Sequence, residues 1–294
     1  MNQQGFIRKN EKIMQKRFIS QRGFHFFLLF PTLLIILMTL IIPLSLVLFD
    51  SFRDNSGNFS FVQYLKTFTD RYFLLSLGFT VSVSFGVSLV SIIISLPLSY
   101  FLARNENLRN VMLGIVTIPR MLPFFVMGYS MILLFAPHTG LVNNILYHNL
   151  GILKDPINIL FSWPGLSLAL LYVRTVMNIA MLTGIIQEIN PNLELAAMTM
   201  GASKLTTFRK IILPLSSSGI IAAMSLSFAE NIAAFSIPLM LSGKGLPMVS
   251  LLIRVQLLFV RNWNLAFAQA SVVGLVSLTC VVFANRLIKR GTGR

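Results

Sequence analysis

Residues 24–49, from Phe24 to Phe49, contain no Asp, Glu, Lys or Arg. At a rise of ~1.5 Å per residue, a helix of that length crosses the roughly 30 Å hydrocarbon layer of a bilayer. Five further apolar runs follow at roughly 79–103, 111–135, 164–187, 217–241 and 265–288. Inside hydrocarbon every backbone N–H and C=O must be satisfied by its own segment, so such runs are read as helices. The expected fold class is therefore an all-α membrane protein with six transmembrane helices. Only 11% of the residues are charged and mean hydropathy is +0.77, whereas a soluble domain carries about a quarter charged residues. The first run is longer than the apolar core of a signal peptide and no small-residue cleavage site follows it, so it is expected to be retained.

The formal net charge of +15 invites a nucleic-acid reading, but the basic residues cluster at span ends, where they set membrane orientation. With six crossings, 15 Lys and Arg fall on the side of both termini and 7 on the other. That excess puts both termini in the cytoplasm. Residues 1–23 form a basic cytoplasmic tail, 24–288 the membrane domain and 289–294 a second cytoplasmic tail. On the outer side, 50–76 is polar and 136–163 is broken by proline and glycine. Residues 246–264 hold an apolar piece too short to span, expected as an interfacial helix. Cys280 is the only cysteine, and His25, His138 and His148 lack metal-ligand spacing, so no metal site is expected. There is no G-x-x-x-x-G-K-[ST] sequence and no nucleophile-elbow motif, so the chain is not expected to bind ATP in the P-loop manner or to act as an enzyme.

Residues 190–214, NPNLELAAMTMGASKLTTFRKIILP, form a polar island between two apolar runs. Asn190 and Pro191 read as N-cap and first helical position. Gly201 suits a left-handed helix stop, Ser203 caps a second helix over 204–213, and Pro214 closes or kinks it. Ala196, Ala197, Gly201, Ile211, Leu213 and Pro214 have the spacing AA-x3-G-x9-I-x-L-P. This resembles the EAA loop of the binding-protein-dependent permeases of ATP-binding-cassette (ABC) importers. Leu195 stands where that family usually has Glu, and Glu194 precedes it. Weaker similarity runs through TVSVSFGVSLVSIIISLPLSYFLAR, GLVNNIL and FSIPLML. The last two are most similar to the branch handling polyamines, opines, phosphonates and iron.

The resemblance implies a permease subunit of an ABC importer in the inner membrane. A second permease subunit, identical or homologous, would complete the path. Two ATPase subunits would bind the ATP, and an external solute-binding protein would deliver the solute. It also implies that Glu194, Ala196, Ala197, Gly201, Ala202, Ser203, Phe208, Leu213 and Pro214 belong to a coupling element that docks on the ATPase. Two rival classes remain open from the residues alone: a secondary transporter coupled to ions through Glu230, and a membrane sensor or scaffold that moves no solute.

Three ionisable residues fall near the membrane midplane: Arg120, Arg174 and Glu230. Each costs at least about 2.5–3.5 kcal/mol if left facing lipid. Glu230 is expected either to pair with Arg174 or Arg120, or to line a solute path together with them and with Asn178, Ser227 and Asn231. Two Arg against one Glu lean toward a solute with an anionic group.

Overall fold

The computed structural model describes residues 30–292 except 244 and 246, and the side chains of all these except 120, 285 and 287–292. The N-terminal tail over 1–23, the start of the first run and residues 293–294 therefore lie outside the described residues. Among the described residues, four helices are long and apolar enough to cross a membrane: α1 (Phe30–Ser51), α3 (Arg71–Arg104), α6 (Trp163–Gln187) and the stretch Trp263–Ala284 of α12 (Trp263–Thr292). Between them stand α2 (Val62–Thr69), α4 (Glu106–Thr117), α5 (Phe124–Phe135), α7 (Asn192–Thr199), α8 (Lys204–Leu215), α9 (Ser217–Ile232), α10 (Ser236–Leu241) and α11 (Val249–Val260). The α8–α9 pair passes the same test as one span bent by 68°. Among the described residues, an all-helical membrane protein is what the hydropathy pattern predicts.

Two of the expected spans are not single helices. The 111–135 run breaks after Thr117 into a tight 3-10 turn, Ile118–Met121, and restarts at Phe124. Pro119 and Pro123 lack the N–H that would continue the ladder, and Leu122, which precedes Pro123, takes the extended conformation such a residue prefers. The 217–241 run breaks between Ile232 and Ser236. Here Pro238 lies four residues after Ala234, and its ring excludes the helical bond to that carbonyl. The freed Ala234 carbonyl accepts a bond from the Ser250 hydroxyl at 2.7 Å instead. The polar stretch over 50–76 also differs from expectation: it contains α2 and the first residues of α3, which spans 34 residues.

The helix expected within 246–264 is present as α11, and its start is anchored in the protein. Met248 and Val249 are fully buried, and the Val249 N–H donates to Thr80 Oγ1 on α3 at 2.9 Å. Satisfying Ala234 and capping the start of α11 on Thr80 draws this end of the helix into the protein. Only its second half, with Leu258, Phe259 and Val260, is exposed.

α3 organises the packing. Ser76, Thr80, Ser84, Ser88, Ser91, Ser95 and Ser99 recur every three or four residues and are all fully buried. They form one face of the helix, laid against α6, with α9 across it. Apolar burial supplies little attraction between helices in lipid, so a seam of small residues that lets backbones approach does the work. Ser95 and Ser99 donate across it to the carbonyls of Thr175 and Ile179, each at 3.2 Å. The largest apolar cluster sits outward of this seam, where Val87 of α3 meets Met127 and Met131 of α5, Leu170 and Val173 of α6, and Leu241 of α10. Away from this face, Ile93 and Ile94 of α3 are exposed and apolar.

Enlarging the seam is expected to cost more than changing the exposed face of α3. Ser95→Leu should overpack it by about 1–3 kcal/mol and lower the apparent melting temperature of the detergent-solubilised protein, read by size-exclusion chromatography after heating. Ile94→Leu should leave that temperature unchanged.

Candidate functional site

The 190–214 stretch folds as a helix, a glycine corner and a second helix. Asn190 Oδ1 accepts from the Asn192 N–H at 3.0 Å and caps α7. At the other end Gly201 has φ +88°, a conformation that a Cβ resists by roughly 1–2 kcal/mol. Its N–H reaches the Met198 carbonyl at 3.0 Å, and the Ala202 N–H reaches the Ala197 carbonyl at 3.0 Å. This reciprocal pair satisfies carbonyls that the helix end leaves open. Ser203 Oγ then accepts from the Thr206 N–H at 3.2 Å and starts α8. A π turn over Phe208–Ile212 widens α8 just ahead of Pro214, and the chain turns by 68° into α9.

This element has an inner and an outer face. Glu194 and Ala197 on α7, with Thr207 and Ile212 on α8, are buried. Leu195, Ala196, Met198, Met200 and Leu205 are exposed, as are Gly201, Ser203, Leu213 and Pro214, while Ala202 and Phe208 are partly covered. Glu194 turns inward. Its Oε2 accepts from the Tyr100 hydroxyl at 2.6 Å and its Oε1 from Arg104 Nε at 2.6 Å. Arg104 Nη2 also donates to the Ile189 carbonyl at 3.1 Å, just beyond α6. The Tyr100 ring packs on Phe208 of α8 with centroids 5.2 Å apart. Both halves of the element are thus held to the end of α3. Tyr100 and Arg104 carry no motif of their own, and sequence reasoning passed over them.

The second constellation lies deep between α3, α6 and α9. Arg174 is 4% exposed. It pairs with Glu230 on α9, and its Nε donates to Asn231 Oδ1 at 2.8 Å. Asn231 Nδ2 donates to Ser88 Oγ on α3 at 3.2 Å. One helical turn away on α6, Asn178 Nδ2 donates to Ser91 Oγ at 2.8 Å and Asn178 Oδ1 accepts from Ser227 Oγ at 3.0 Å. The structure therefore brings five of the six proposed path residues into one network. Of the sixth, Arg120, only the backbone is described, in the 3-10 turn. Arg174, Asn178, Ser227 and Asn231 are buried within the chain, and Glu230, with 43% of its side chain exposed, is the member that opens outward. Ser88 and Ser91 complete the network. Their signal in the sequence is the three-to-four-residue serine spacing along α3.

Because Arg174 is buried and Glu230 is not, the pair is unequal. Removing Glu230 leaves a guanidinium in low dielectric, a loss of ~3–5 kcal/mol for a fully buried pair and less here, where solvent reaches the carboxylate. Glu230→Met alone should lower the yield and melting temperature of the purified protein. The double change Arg174→Met with Glu230→Met should recover at least half of that loss. A double variant no better than the single one would show that the loss does not come from leaving Arg174 unpaired.

Comparison with known proteins agrees with this architecture. The profile of the family described as "Binding-protein-dependent transport system inner membrane component" matches residues 95–294. The chain is 26% identical over 263 residues to the sulfate transport system permease protein CysT of Salmonella typhimurium, covering 88% of this chain and 90% of the relative. It is 26% identical over 245 residues to the spermidine/putrescine transport system permease protein PotB of Escherichia coli, covering 81% of this chain and 88% of the relative. Among solved structures, a chain of a bacterial alginate ABC transporter in complex with an alginate pentasaccharide-bound periplasmic protein superimposes with a TM-score of 0.81 at 19% identity, covering 94% of this chain and 98% of that one. A chain of the MetNI methionine ABC transporter in an inward-facing conformation gives 0.56 at 17% identity, covering 76% of this chain and 99% of that one.

Proposed function

The chain belongs to the family of binding-protein-dependent transport system inner membrane components, and from that premise we propose how its parts divide the work of import. It is the permease subunit of an ABC importer, an inner-membrane transport component. Hydrolysis of ATP belongs to separate ATPase subunits in this family. The 190–214 element docks on one of them, and the single observation that carries this assignment is the glycine-cornered pair α7–α8 with its outward face of Leu195, Met198, Met200 and Leu205. A group of large apolar side chains exposed together beyond the spans marks a surface for protein or lipid.

The broken runs 111–135 and 217–241 each count as one crossing in this reading, which gives six crossings with both termini in the cytoplasm. A second permease subunit faces this one, and an extracytoplasmic solute-binding protein delivers a small polar solute. Irregular backbone is tolerated at membrane depth where it is buried in protein or lines a cavity, so the breaks after Thr117 and Ile232 border the path. Glu230 is the network's contact with it. Arg174 and Glu230 neutralise one another, so the lean toward an anionic group rests on Arg120. The branch suggested by GLVNNIL and FSIPLML supplies the candidate solutes: polyamine, opine, phosphonate or iron compounds.

Two measurements test this reading. Cysteine labels at Ser56 and Lys204, in a Cys280→Ala background, are expected to react from opposite sides of the membrane in intact cells. Labelling of both from outside excludes six crossings. Gly201→Val should reach the membrane in near-normal amounts yet lose its ATPase subunits on purification, because the spans do not depend on the corner and the docking face does. Full retention of the ATPase by this variant would refute the docking assignment, and ion-driven uptake without any ATPase would point to a secondary transporter.

A further inference from the structure

Between the loop that follows α1 and the corner that joins α11 to α12 lies a cavity of about 540 Å³, lined by Asn55, Val260, Arg261, Asn262, Trp263 and Asn264. The proposed import leaves it unused. Its walls are fixed from behind. Gln63 of α2 is fully buried, and its Nε2 donates to Asn55 Oδ1 at 2.9 Å. Asn264 Nδ2 donates to the Asp54 carbonyl at 2.7 Å and fastens that loop to α12. Asn262 Oδ1 accepts from the Leu265 N–H at 3.2 Å and caps α12. Each bond leaves the other half of a carboxamide without a partner among the described residues: the amide NH2 of Asn55, that of Asn262, and the side-chain oxygen of Asn264.

Arg261 joins these groups. Its φ is +58°, the left-handed conformation that a Cβ resists and that glycine usually takes just after a helix. The conformation turns the chain so that the Asn262 N–H closes α11 on the Gln256 carbonyl at 3.0 Å. An arginine therefore stands where the backbone favours glycine. Its side chain is exposed and makes no ion pair with a described residue. Arg254, the other cation of this segment, lies over the Phe259 ring, 5.4 Å from its centroid. The neighbouring carboxylates are occupied: Asp50 pairs with Arg53, and Asp54 Oδ1 accepts from the N–H groups of Ser56 and Asn58. The cavity thus offers one positive charge, two amide donors and one acceptor. That set complements a phosphate linked to a hydroxyl or ammonium group. Beside it, Leu258, Phe259, Val260 and Trp263 are exposed. A polar group next to apolar side chains and a tryptophan, at the ends of membrane helices, is the arrangement met where headgroups join acyl chains.

We propose that this cavity binds the headgroup of a glycerophospholipid. The phosphate lies on Arg261 and the amides of Asn55 and Asn262, the headgroup hydroxyl or ammonium donates to Asn264 Oδ1, and an acyl chain follows Leu258–Val260. Soluble phosphate compounds share the first part of this chemistry and have no use for the apolar flank. Placement in the outer leaflet rests on the six-crossing reading. Binding itself does not, and the label at Ser56, next to Asn55, tests the side independently.

The test uses the full-length chain, purified in mild detergent, stripped of lipid and then given dioleoyl phosphatidylglycerol. Native mass spectrometry reads the lipid retained, and thermal melting reads its effect. The wild-type chain should retain the lipid and melt higher as more is added. Arg261→Gly relieves the backbone, so without lipid it should melt no lower than wild type, yet lose most of the lipid-dependent rise. Arg261→Lys keeps the charge and should keep part of that rise. Dioleoylglycerol, which lacks the phosphate, should give none of it, and glycerol phosphate, which lacks the chains, should give less than half. Equal retention and an equal rise in wild type and Arg261→Gly overturn the proposal. A rise with glycerol phosphate as large as with the lipid also overturns it and makes the cavity a site for soluble phosphate compounds. Unchanged lipid retention in Arg261→Gly together with lost uptake in cells overturns it as well, and gives the arginine to a protein partner.

Discussion

One buried cation sets the terms for the middle of this protein. Arg174 is 4% exposed within a helix that lies among other helices in a membrane. Its cost in hydrocarbon is large, and it is tolerated only with a carboxylate and hydrogen-bond acceptors around it. Glu230 and Asn231, adjacent on α9, supply both. Asn231 then needs a partner for its own amide and finds Ser88 on α3. So α3, α6 and α9 must approach closely at this depth, and a column of serines on α3 is what permits it. The position of the three helices follows from satisfying one guanidinium, then the groups that satisfy it.

The same rule explains the breaks. A proline inside a membrane helix frees a carbonyl four residues earlier, and that carbonyl must find another donor. Pro238 frees the carbonyl of Ala234, and Ser250 meets it. That bond, with the one from Val249 to Thr80, pins the start of α11 between α3 and the α9–α10 break. A segment that hydropathy reads as interfacial is therefore anchored at one end in the core. Its amphipathic character survives only in the exposed second half.

Much of this was legible in the residues. Runs of apolar sequence located α1, α3, α6 and α12, because length and hydropathy alone decide whether a segment can span. Caps and corner in 190–214 were legible too, since Asn190, Gly201 and Ser203 act through local geometry. Partnership is harder to read. Arg174 and Arg120 were rivals for the one carboxylate of Glu230 in the sequence, and only the fold brings Glu230 to Arg174. Tyr100 and Arg104 lie about 90 positions from Glu194, and nothing in a single sequence marks contacts at that separation. The outer limits of the helices also escaped, as at Arg71, because the ends of α3 extend past the apolar stretch that hydropathy detects.

The division of the 190–214 element into two faces bears on a difficulty that the sequence raises. The family usually places Glu directly before the paired alanines, and here that position is Leu195, with Glu194 beside it. On a helix, neighbouring residues point about 100° apart, so a shift of one position moves a side chain to a different face. Glu194 falls with Ala197 on the buried face and Leu195 falls with Met198 on the exposed one. The acidic group has therefore not slipped along an otherwise equivalent surface. It serves contacts inside the chain, with Tyr100 and Arg104, and the surface left for a partner is apolar at the position in question. A docking contact built on Leu195 and its neighbours depends on buried apolar area, and its strength changes little with salt, whereas an ionic contact at an exposed site weakens as salt is added.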